Sequence, residues 1–354
     1  MKTILLISDG KKIGGAEKYL VGVINLLKSK YRFNILMNDE IQSDFSGDKE
    51  INTICKVISN KKPLSTILNF LKVYLKIRPD IIHLNLTHPT SCLWIQILSL
   101  FFPKGKFKAT LHLATSVKHI RIYKYILKRT YKKMEVILVA ESAISKLKNN
   151  YGIHTDMEVI PNWIDNNHFS IPSITFKAKL RKQLLLPEDK KIGLFIGRFE
   201  EQKNLLKLLE LTKKYLSDEW LLLLVGEGSM IDQIKTYIKQ HNMSNYVRLY
   251  PFTNDPRNYY WVADSFFLIS KYECTPLSLL EAMSTGLASV VTDVGDMKLM
   301  VGKEEFVIKY NEHSDNSLDC LKSSLKEDPN YWRNQVVNNY SPITAYEKLV
   351  SIYK

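Results

Sequence analysis

The sequence lacks the features that define several common classes of protein. It has only four cysteines, widely spaced and without a CxxC pair, which excludes a disulfide framework and a cysteine-based zinc site. Its longest apolar run, residues 92–102, is well short of the roughly 20 residues that span a bilayer. The first apolar run breaks at Ser8, too early for the core of a signal peptide. We therefore expect a cytoplasmic protein that does not cross a membrane.

Glycine is also scarce. The chain has 14 glycines in 354 residues, well below the usual share of about 7%, so places where glycines gather are informative. The length is too great for one ordinary core and fits two domains of roughly 150 to 200 residues. The apolar fraction of 45% and the charged fraction of 24% are typical of globular proteins. Both observations favour a folded chain of two domains.

Acidic residues are few in the first half of the chain. Residues 1–165 carry 26 Lys and Arg against 13 Asp and Glu, whereas residues 166–354 carry 24 against 23. Such an uneven field suggests that the first half meets an anionic partner, which could be nucleic acid, a membrane surface or a phosphorylated substrate. The alternative is a basic surface that serves only solubility.

Short apolar runs alternate with segments of helical period, which predicts βαβ units and parallel sheets covered on both faces. The predicted strands are residues 3–7, 33–37, 81–84, 107–111, 136–139, 191–196, 220–225, 247–250, 266–270 and 288–292. The clearest helices are residues 16–27, 64–76 and 142–149. Prolines and a cluster of Asn and Asp interrupt this rhythm at residues 160–173. We predict α/β domains at 1–165 and 166–328, followed by two helices at 329–354.

Two places could bind a phosphate group. Gly14 and Gly15 precede the first helix, where backbone N–H groups can meet an anion, although a plain tight turn would look the same. The pattern is not GxGxxG, which argues against a nicotinamide enzyme. Arg198 and Lys203 follow a predicted strand and suit a diphosphate. They could instead pair with the glutamates between them.

The most informative segment is residues 270–296, SKYECTPLSLLEAMSTGLASVVTDVGD. Glu273 lies in the loop after a strand, Pro276 fits the first turn of a helix, and Glu281 lies inside that helix. The two carboxylates therefore cannot share one helix face. The loop can direct Glu273 to one part of a ligand, while the free N–H groups of the helix meet negative charge. Glu281 could accept hydrogen bonds from a diol.

These motifs together resemble a known family. The E-x7-E spacing with PLSLLEAM, together with GRFEEQK, VGEGSM, PNWID and GGAE, resembles the retaining glycosyltransferases of family 4 over nearly the whole chain. The resemblance implies a GT-B fold of two Rossmann-like domains that face a central cleft. The second domain would hold a nucleotide-sugar donor, the first would bind the acceptor, and residues 329–354 would return to the first. It implies no cofactor, because the nucleotide-sugar is a substrate, and no metal, because Arg198, Lys203 and the helix N-terminus would stabilise the departing diphosphate.

The resemblance also implies roles for particular residues. They are Arg198 and Lys203 at the donor diphosphate, Glu281 at the ribose, Glu273 and His112 at the reacting sugar, Gly15 near the diphosphate, and the backbone N–H groups of Cys274, Thr275 and Leu277. Taken alone, His112 would be read as a core histidine. The residues do not decide whether retention uses a short-lived ion pair or an enzyme nucleophile.

The chain departs from the family pattern at several positions. Pro251 offers no N–H near the expected nucleobase, so UDP is only a default donor base. The other departures remove no charged residue of the predicted site; they are Cys274, Trp163, Ala288 and Asp296. The donor sugar stays open.

Residues 118–134 predict a basic amphipathic helix. The apolar stripe is Ile120, Tyr123, Leu127, Tyr131 and Met134, and the basic stripe is Arg121, Lys124, Lys128 and Lys132. Each cation near an anionic leaflet contributes about 1 kcal/mol, so such a helix could hold the protein on a membrane. An ordinary surface helix packed on its sheet would show the same pattern.

The expected function is therefore sugar transfer from a nucleotide-sugar to a lipid-linked, lipopolysaccharide or capsule glycan. The protein would act peripherally at the inner face of the plasma membrane. The alternatives are a nucleic-acid-binding protein that uses the basic first half, for which no motif speaks, and a GT-B-fold epimerase. We expect no nucleic acid partner.

Overall fold

A computed structural model describes residues 1–11, 14–38, 40, 52–56, 58–114, 121–213, 219–309 and 316–354. The chain divides into two compact units. The first unit contains Met1–Asn162 and Pro342–Lys354, and the second contains Trp163–Ser341. None of the helices in these ranges combines the length and the apolar character that a membrane-spanning segment needs.

The described part of the first unit has one sheet of seven parallel strands. The strands are β1 (Thr3–Ser8), β2 (Arg32–Met37), β3 (Asn52–Cys55), β4 (Ile81–Leu86), β5 (Phe107–Leu111), β6 (Glu135–Leu138) and β7 (Met157–Val159). The helices that follow in the chain are α1 (Gly15–Leu27), α2 (Pro63–Ile77), α3 (Leu93–Leu98), α4 (Arg121–Lys133) and α5 (Ser142–Tyr151), with a 3₁₀ turn at Ser99–Phe101. The strand order is β3-β2-β1-β4-β5-β6-β7.

The order of the strands decides on which face each helix lies. The chain runs outward from β1 to β3, returns to β4 beside β1, and then runs outward in the other direction to β7. Because parallel crossovers are right-handed, α1 covers one face and α2 to α5 cover the other. Contacts agree with this layout, since α3 touches both α2 and α4, and α4 touches α5.

The second unit repeats the same topology. Its described strands are β8 (Lys191–Ile196), β9 (Trp220–Val225), β10 (Val247–Tyr250), β11 (Ser265–Leu268), β12 (Ala288–Thr292) and β13 (Val307–Ile308), in the order β10-β9-β8-β11-β12-β13. Its helices are α6 (Ile174–Gln183), α7 (Leu205–Thr212), α8 (Ile231–Gln240), α9 (Arg257–Val262), α10 (Leu277–Ser284), α11 (Met297–Val301), α12 (Ser317–Ser324) and α13 (Pro329–Asn339). A last helix, α14 (Pro342–Tyr353), belongs to the first unit.

The predicted domain limits at residues 165 and 328 differ from this division. Two terminal helices are present as predicted, but only α14 belongs to the first unit. Helix α13 buries Trp332 in the core of the second unit, with its ring 4.8 Å from that of Phe306. Arg333 next to it donates to the carbonyl oxygens of Phe169 and Ser284 at 3.0 and 2.9 Å. The packing of Trp332 thus holds α13 in the second unit, a contact that the sequence pattern did not predict.

Candidate functional site

The predicted cations of the second unit follow β8 directly. Arg198 is exposed two residues after the strand, and Lys203 ends a 3₁₀ turn that begins at Glu201. Lys203 Nζ lies 2.5 Å from Glu273 Oε1, with side chains only 12% and 9% exposed. The structure therefore brings together two residues that the sequence placed in separate motifs. The alternative pairing with neighbouring glutamates does not describe Lys203.

Glu200 and Glu201, the neighbouring glutamates, have other partners. Glu201 pairs with Lys271 at 2.8 Å. Glu200 accepts hydrogen bonds from Ser229, at 3.2 Å from the backbone N–H and 2.6 Å from the hydroxyl. These acidic side chains join the loop after β8 to two other loops.

The loop that carries Glu273 is fixed from two sides. Lys271 N–H donates to the carbonyl of Gln202 at 2.8 Å, and the side chain of Gln202 donates to the carbonyl of Tyr272 at 2.8 Å. On the other side Gly295 has φ +61°, and a Cβ there would lie 2.5 Å from the carbonyl oxygen of Glu273. Glycine at 295 therefore permits both the left-handed backbone and the close approach. These contacts fix the backbone of Glu273, and Lys203 holds its carboxylate.

Helix α10 begins at Leu277, just after the buried Cys274 and Thr275. Pro276 precedes the helix as its capping residue, one position earlier than predicted. The first N–H groups of a helix have no partner within the helix, so this terminus favours negative charge. The three predicted backbone donors, at 274, 275 and 277, thus lie at or just before a helix start. Their role toward a ligand stays a prediction.

Glu281 has a partner that the sequence did not reveal. The hydroxyl of Tyr260 donates to Glu281 Oε2 at 2.7 Å. Burial, followed by the charge of Glu281, raises the pKa of Tyr260 well above its usual value, so the phenol stays protonated and remains a donor. This bond fixes one carboxylate oxygen of Glu281. That Glu281 accepts hydrogen bonds from a diol stays a prediction.

All of these residues lie at one edge of the second sheet. Strands β8 and β11 are neighbours, and the chain leaves them in opposite directions across the sheet. In open α/β sheets, ligands bind outside the carboxyl ends of strands at such a switch point. The loops after β8 and β11 carry Arg198, Lys203 and Glu273, and α10 follows. The second unit therefore has a polar candidate site, with both cations and carboxylates, at its switch point.

The VGEGSM motif supports the loop of Arg198. A Cβ on Gly226 would lie 1.9 Å from the carbonyl oxygen of Gly197, and one on Gly228 would lie 2.4 Å from that of Phe199. Phe199 N–H also donates to the carbonyl of Glu227 at 2.6 Å. The segment after β9 and the segment after β8 thus pack backbone against backbone. No side chain fits between them.

We expect Gly226→Ala to displace the backbone that carries Arg198. The added methyl group must move Gly197 away, and misplacement of this size near a reacting group lowers kcat/KM about 100-fold. Steady-state kinetics with thermal unfolding measures both effects. Gly105→Ala is the matched control, because its φ of +86° is also strained but its Cβ would make only an ordinary contact. If the two variants keep equal kcat/KM, the backbone of this loop does not matter for the reaction.

In the first unit, His112 lies immediately after β5 and is buried. Its Nε2 hydrogen-bonds to Asn85 Oδ1 at 2.7 Å, and the ring of Tyr19 packs edge-on at 5.1 Å. Burial lowers the pKa of His112 to about 3, so the imidazole is neutral near pH 7. A neutral ring can exchange hydrogen bonds but does not supply positive charge. Its part in a reaction stays a prediction.

His83 of β4 is buried in the first unit. Its Nδ1 contacts the hydroxyl of Tyr353, and its Nε2 lies 2.8 Å from Thr110 Oγ1. Both ring nitrogens are therefore used inside the core of the first unit. The C-terminal helix α14 is anchored to the sheet through this histidine.

The glycine turn before α1 has an unexpected organiser. Glu17 is buried and accepts from Gly14 N–H at 2.9 Å and from the Ser8 hydroxyl at 3.2 Å. Gly15 is exposed, and a Cβ on it would meet no described atom within 4 Å. Packing within the first unit therefore does not demand glycine at this position. Glu17 belongs to the GGAE motif, but the sequence did not predict that its side chain is buried rather than exposed to solvent.

The basic helix α4 differs from its predicted form. Leu127, Tyr131 and Met134 of the predicted apolar stripe are buried in the first unit, because α4 covers the sheet. That stripe is therefore not available to a membrane, which corrects this part of the prediction. Lys124, Lys128 and Lys132 are exposed. Ile120 and the side chain of Arg121 lie outside the described residues.

No group of three or more His, Cys, Asp and Glu side chains that could hold a metal ion occurs in the described ranges. The candidate site carries the cations Arg198 and Lys203 and lies near the start of α10. The predicted residues of the second unit are thus close to one another along two loops and one helix.

Fold and site together define the class of protein. Two Rossmann-like units of parallel sheet, with cations and carboxylates at the switch point of the second, form the architecture of a GT-B glycosyltransferase. The model of "Glycosyltransferase Family 4" matches residues 13–168, and that of "Glycosyl transferases group 1" matches residues 176–339. The chain belongs to the family 4 glycosyltransferases. The predicted family and fold are confirmed.

Curated relatives are similar over most of their length. A UDP-Gal:alpha-D-GlcNAc-diphosphoundecaprenol alpha-1,3-galactosyltransferase of Escherichia coli is 25% identical, with 90% of this chain and 84% of that protein covered. A Campylobacter jejuni N-acetylgalactosamine-N,N'-diacetylbacillosaminyl-diphospho-undecaprenol 4-alpha-N-acetylgalactosaminyltransferase is also 25% identical, with 89% and 88% covered. These relatives are bacterial transferases.

Solved structures share the fold at lower identity. Sucrose-phosphate synthase of Thermosynechococcus elongatus has a TM-score of 0.83 at 18% identity, covering 100% of this chain and 98% of that one. Anabaena Alr3699/HepE in complex with UDP has a TM-score of 0.83 at 16% identity, covering 100% and 99%.

Proposed function

We propose that this glycosyltransferase moves a sugar, with retention, from a nucleoside diphosphate sugar to a lipid-linked glycan. The observation that carries the donor half is the Lys203–Glu273 pair beside Arg198 at the switch point of the second unit. A diphosphate needs cations, and a sugar needs hydrogen-bonding carboxylates. Both kinds of group lie on adjoining loops. We further propose that the reaction needs no metal.

The chemistry follows from where charge develops. As the bond from sugar to phosphate breaks, negative charge grows on the departing diphosphate. Fixed cations and helix N–H groups that face this charge stabilise the transition state. Arg198 can hold two phosphate oxygens with its planar fork, and Lys203 acts as a point charge. Glu273, held at Lys203, then orients the sugar hydroxyls and is not assigned as a nucleophile.

The acceptor half of the proposal draws on the relatives and on charge. The Escherichia coli and Campylobacter jejuni relatives are named for acceptors linked to undecaprenol through a diphosphate. An acceptor of that chemistry is anionic and lies in a membrane. The basic first half of this chain, with the exposed lysines of α4, suits both properties. We propose peripheral action at the cytoplasmic face of the plasma membrane.

Nucleoside diphosphates are expected to raise the melting temperature, because a ligand that binds only the folded state stabilises it. At 100 times Kd the gain is about 2.7 kcal/mol, and a panel of UDP, GDP, ADP and dTDP identifies the base. We expect the Glu281→Ala variant to lose most of the shift, because the ribose loses its acceptor. Glu210→Ala, an exposed helix glutamate, is the control. If no member of the panel shifts the folded protein, the donor site as proposed here does not exist.

A further inference from the structure

Helix α2 exposes large apolar side chains to solvent. It buries Thr66, Phe70 and Val73 against the first sheet. Leu64, Leu68 and Leu75 are each more than half exposed. Residues at this spacing form one stripe on a helix, so the three leucines make an exposed apolar stripe. A helix that covers a sheet normally carries polar residues on its outer side.

The exposed leucines are part of a wider apolar face. Right-handed crossovers put α2, α3 and α4 on the same side of the first sheet, and α3 contacts both of its neighbours. The 3₁₀ turn at Ser99–Phe101 contacts α4. The large apolar side chains on this side that are more than half exposed are Leu64, Leu68, Leu75, Phe101, Ile122 and Tyr125. We call this side of the first unit the α2–α4 face.

The sequence segment that supplies this face is strongly basic. Residues 51–134 include sixteen Lys and Arg but a single acidic residue, Asp80, whose carboxylate accepts from Thr3 N–H at 2.7 Å. Lys72 and Lys76 of α2 are exposed next to the leucine stripe. Lys124, Lys128 and Lys132 are exposed on α4. Cations therefore border the apolar side chains from both helices.

We propose that the α2–α4 face docks on an anionic phospholipid bilayer, with the leucines of α2 as the part that enters the lipid. Aliphatic side chains bordered by lysines match a surface of acyl chains below anionic headgroups. A nucleic-acid-binding surface combines cations with polar or aromatic side chains, and exposed leucines add no favourable contact with nucleic acid. This inference deepens the proposed function and rests on it for the choice of a membrane acceptor. It assigns the main apolar contribution to α2, because the predicted apolar stripe of α4 is largely buried and only Ile122 and Tyr125 of that helix add exposed apolar side chains.

The orientation of α2 gives this docking a purpose. The helix follows β3, so its first turns lie toward the carboxyl ends of the strands. Leu64 and Leu68 belong to those turns. His112 and Gly15 follow strands at the same edge of the sheet. A bilayer on the α2–α4 face would therefore bring a lipid-linked acceptor to the edge where the predicted residues of the first unit lie.

The test is vesicle co-sedimentation of the full chain. Vesicles are phosphatidylcholine alone or with about one third phosphatidylglycerol. The leucine variant carries Leu64→Gln, Leu68→Gln and Leu75→Gln, and the control variant carries Ile174→Gln, Leu299→Gln and Ile343→Gln, which are equally exposed elsewhere. We expect the unmodified chain to prefer anionic vesicles and the leucine variant to lose about tenfold or more in partitioning. The control variant should stay within about twofold of the unmodified chain.

Two results would overturn the proposal: unmodified binding by the leucine variant, or no preference for phosphatidylglycerol in the unmodified chain. Thermal unfolding with the nucleoside diphosphate panel accompanies each sample. If the panel still shifts the melting temperature while vesicles do not bind, docking fails and the donor site stands. If vesicles bind in the predicted order but no nucleotide shifts the chain, the docking face stands and the donor proposal fails. If DNA displaces the vesicles, and the leucine variant binds DNA as well as the unmodified chain does, nucleic acid is the favoured partner and the lipid is rejected.

Discussion

The loss of Arg198 and Lys203 together is expected to lower kcat/KM by about 1,000-fold or more, because the departing diphosphate would lose both of its cations. Arg198 is exposed, so Arg198→Gln should leave the fold intact. Lys203 is different. Its ammonium group is buried against Glu273, so its removal also affects stability.

The Lys203–Glu273 pair therefore decides how this experiment is designed. Removing one partner of a buried ion pair leaves an uncompensated charge and costs about 3 to 5 kcal/mol. Lys203→Met alone should lower both the melting temperature and turnover. Lys203→Met with Glu273→Gln removes both charges, so the fold should recover while turnover stays low. The informative protein is the triple variant that adds Arg198→Gln.

Steady-state kinetics and thermal unfolding of these variants separate catalysis from folding. Lys271→Met is the control, since Lys271 is an exposed cation on the same loops that pairs with Glu201. Exposed pairs contribute at most about 1 kcal/mol, so this control should keep nearly normal kinetics and stability. Near-normal kcat/KM in the folded triple variant would contradict the diphosphate assignment.

Most strands could be predicted from sequence, including the edge strand β10, but three short edge strands could not. Strand β1 is a continuous apolar run that is buried on both faces, and its prediction is confirmed to within one residue. Strands β3, β7 and β13 were missed. They have four residues or fewer, lie at sheet edges, and carry no long apolar run that periodicity could detect.

Sequence periodicity also cannot tell which partner an apolar stripe meets. Helix α4 shows a clear stripe, but the structure buries it against its own sheet. In helix α2 the polar residues Ser65, Asn69, Lys72 and Lys76 form one stripe, and apolar residues occupy most of the remaining surface, so the pattern does not single out one buried side. Only the strand order reveals which of its sides faces outward. The exposed leucines therefore emerge from topology and not from pattern.

Contacts within the site required the fold for the same reason. Lys203 and Glu273 are separated by 70 residues, and Tyr260 and Glu281 by 21. The motifs identified the charged residues, since their types and order are informative. Which side chain holds which depends on β8 lying next to β11. A single sequence contains no signal for that neighbour relation beyond the general topology of the fold.

A second large effect is expected at Asp264, which joins three elements of the second unit. Its carboxylate lies 2.7 Å from both Lys177 Nζ and Arg181 Nη2 of α6, and it accepts from Ile192 N–H of β8 at 2.7 Å. Arg181 is buried and also donates to the carbonyl of Val262. Asp264 directly precedes β11. It therefore fixes α6 against β8 and β11, the two strands whose following loops carry the candidate site.

We expect Asp264→Asn to lower the free energy of unfolding by about 3 kcal/mol near pH 7, because the buried Arg181 loses its counter-charge. Asp255→Asn is the matched control, as its pair with Arg257 is exposed and should cost at most about 1 kcal/mol. Chemical denaturation of both variants and the unmodified chain measures the difference. Equal losses in the two variants would show that Asp264 is an ordinary surface carboxylate.

The pH dependence of that difference follows from the sign of the pKa shift. Burial alone would raise the pKa of Asp264, but the charge and hydrogen bond of Lys177, with Arg181, outweigh it and hold the pKa below its usual value. A carboxyl group with a lowered folded pKa stabilises the protein above its unfolded pKa of about 3.9. That stabilisation is lost as the pH falls through the folded pKa. The unmodified chain and Asp264→Asn should therefore differ most near neutrality and converge below about pH 4, whereas a purely steric effect would persist there.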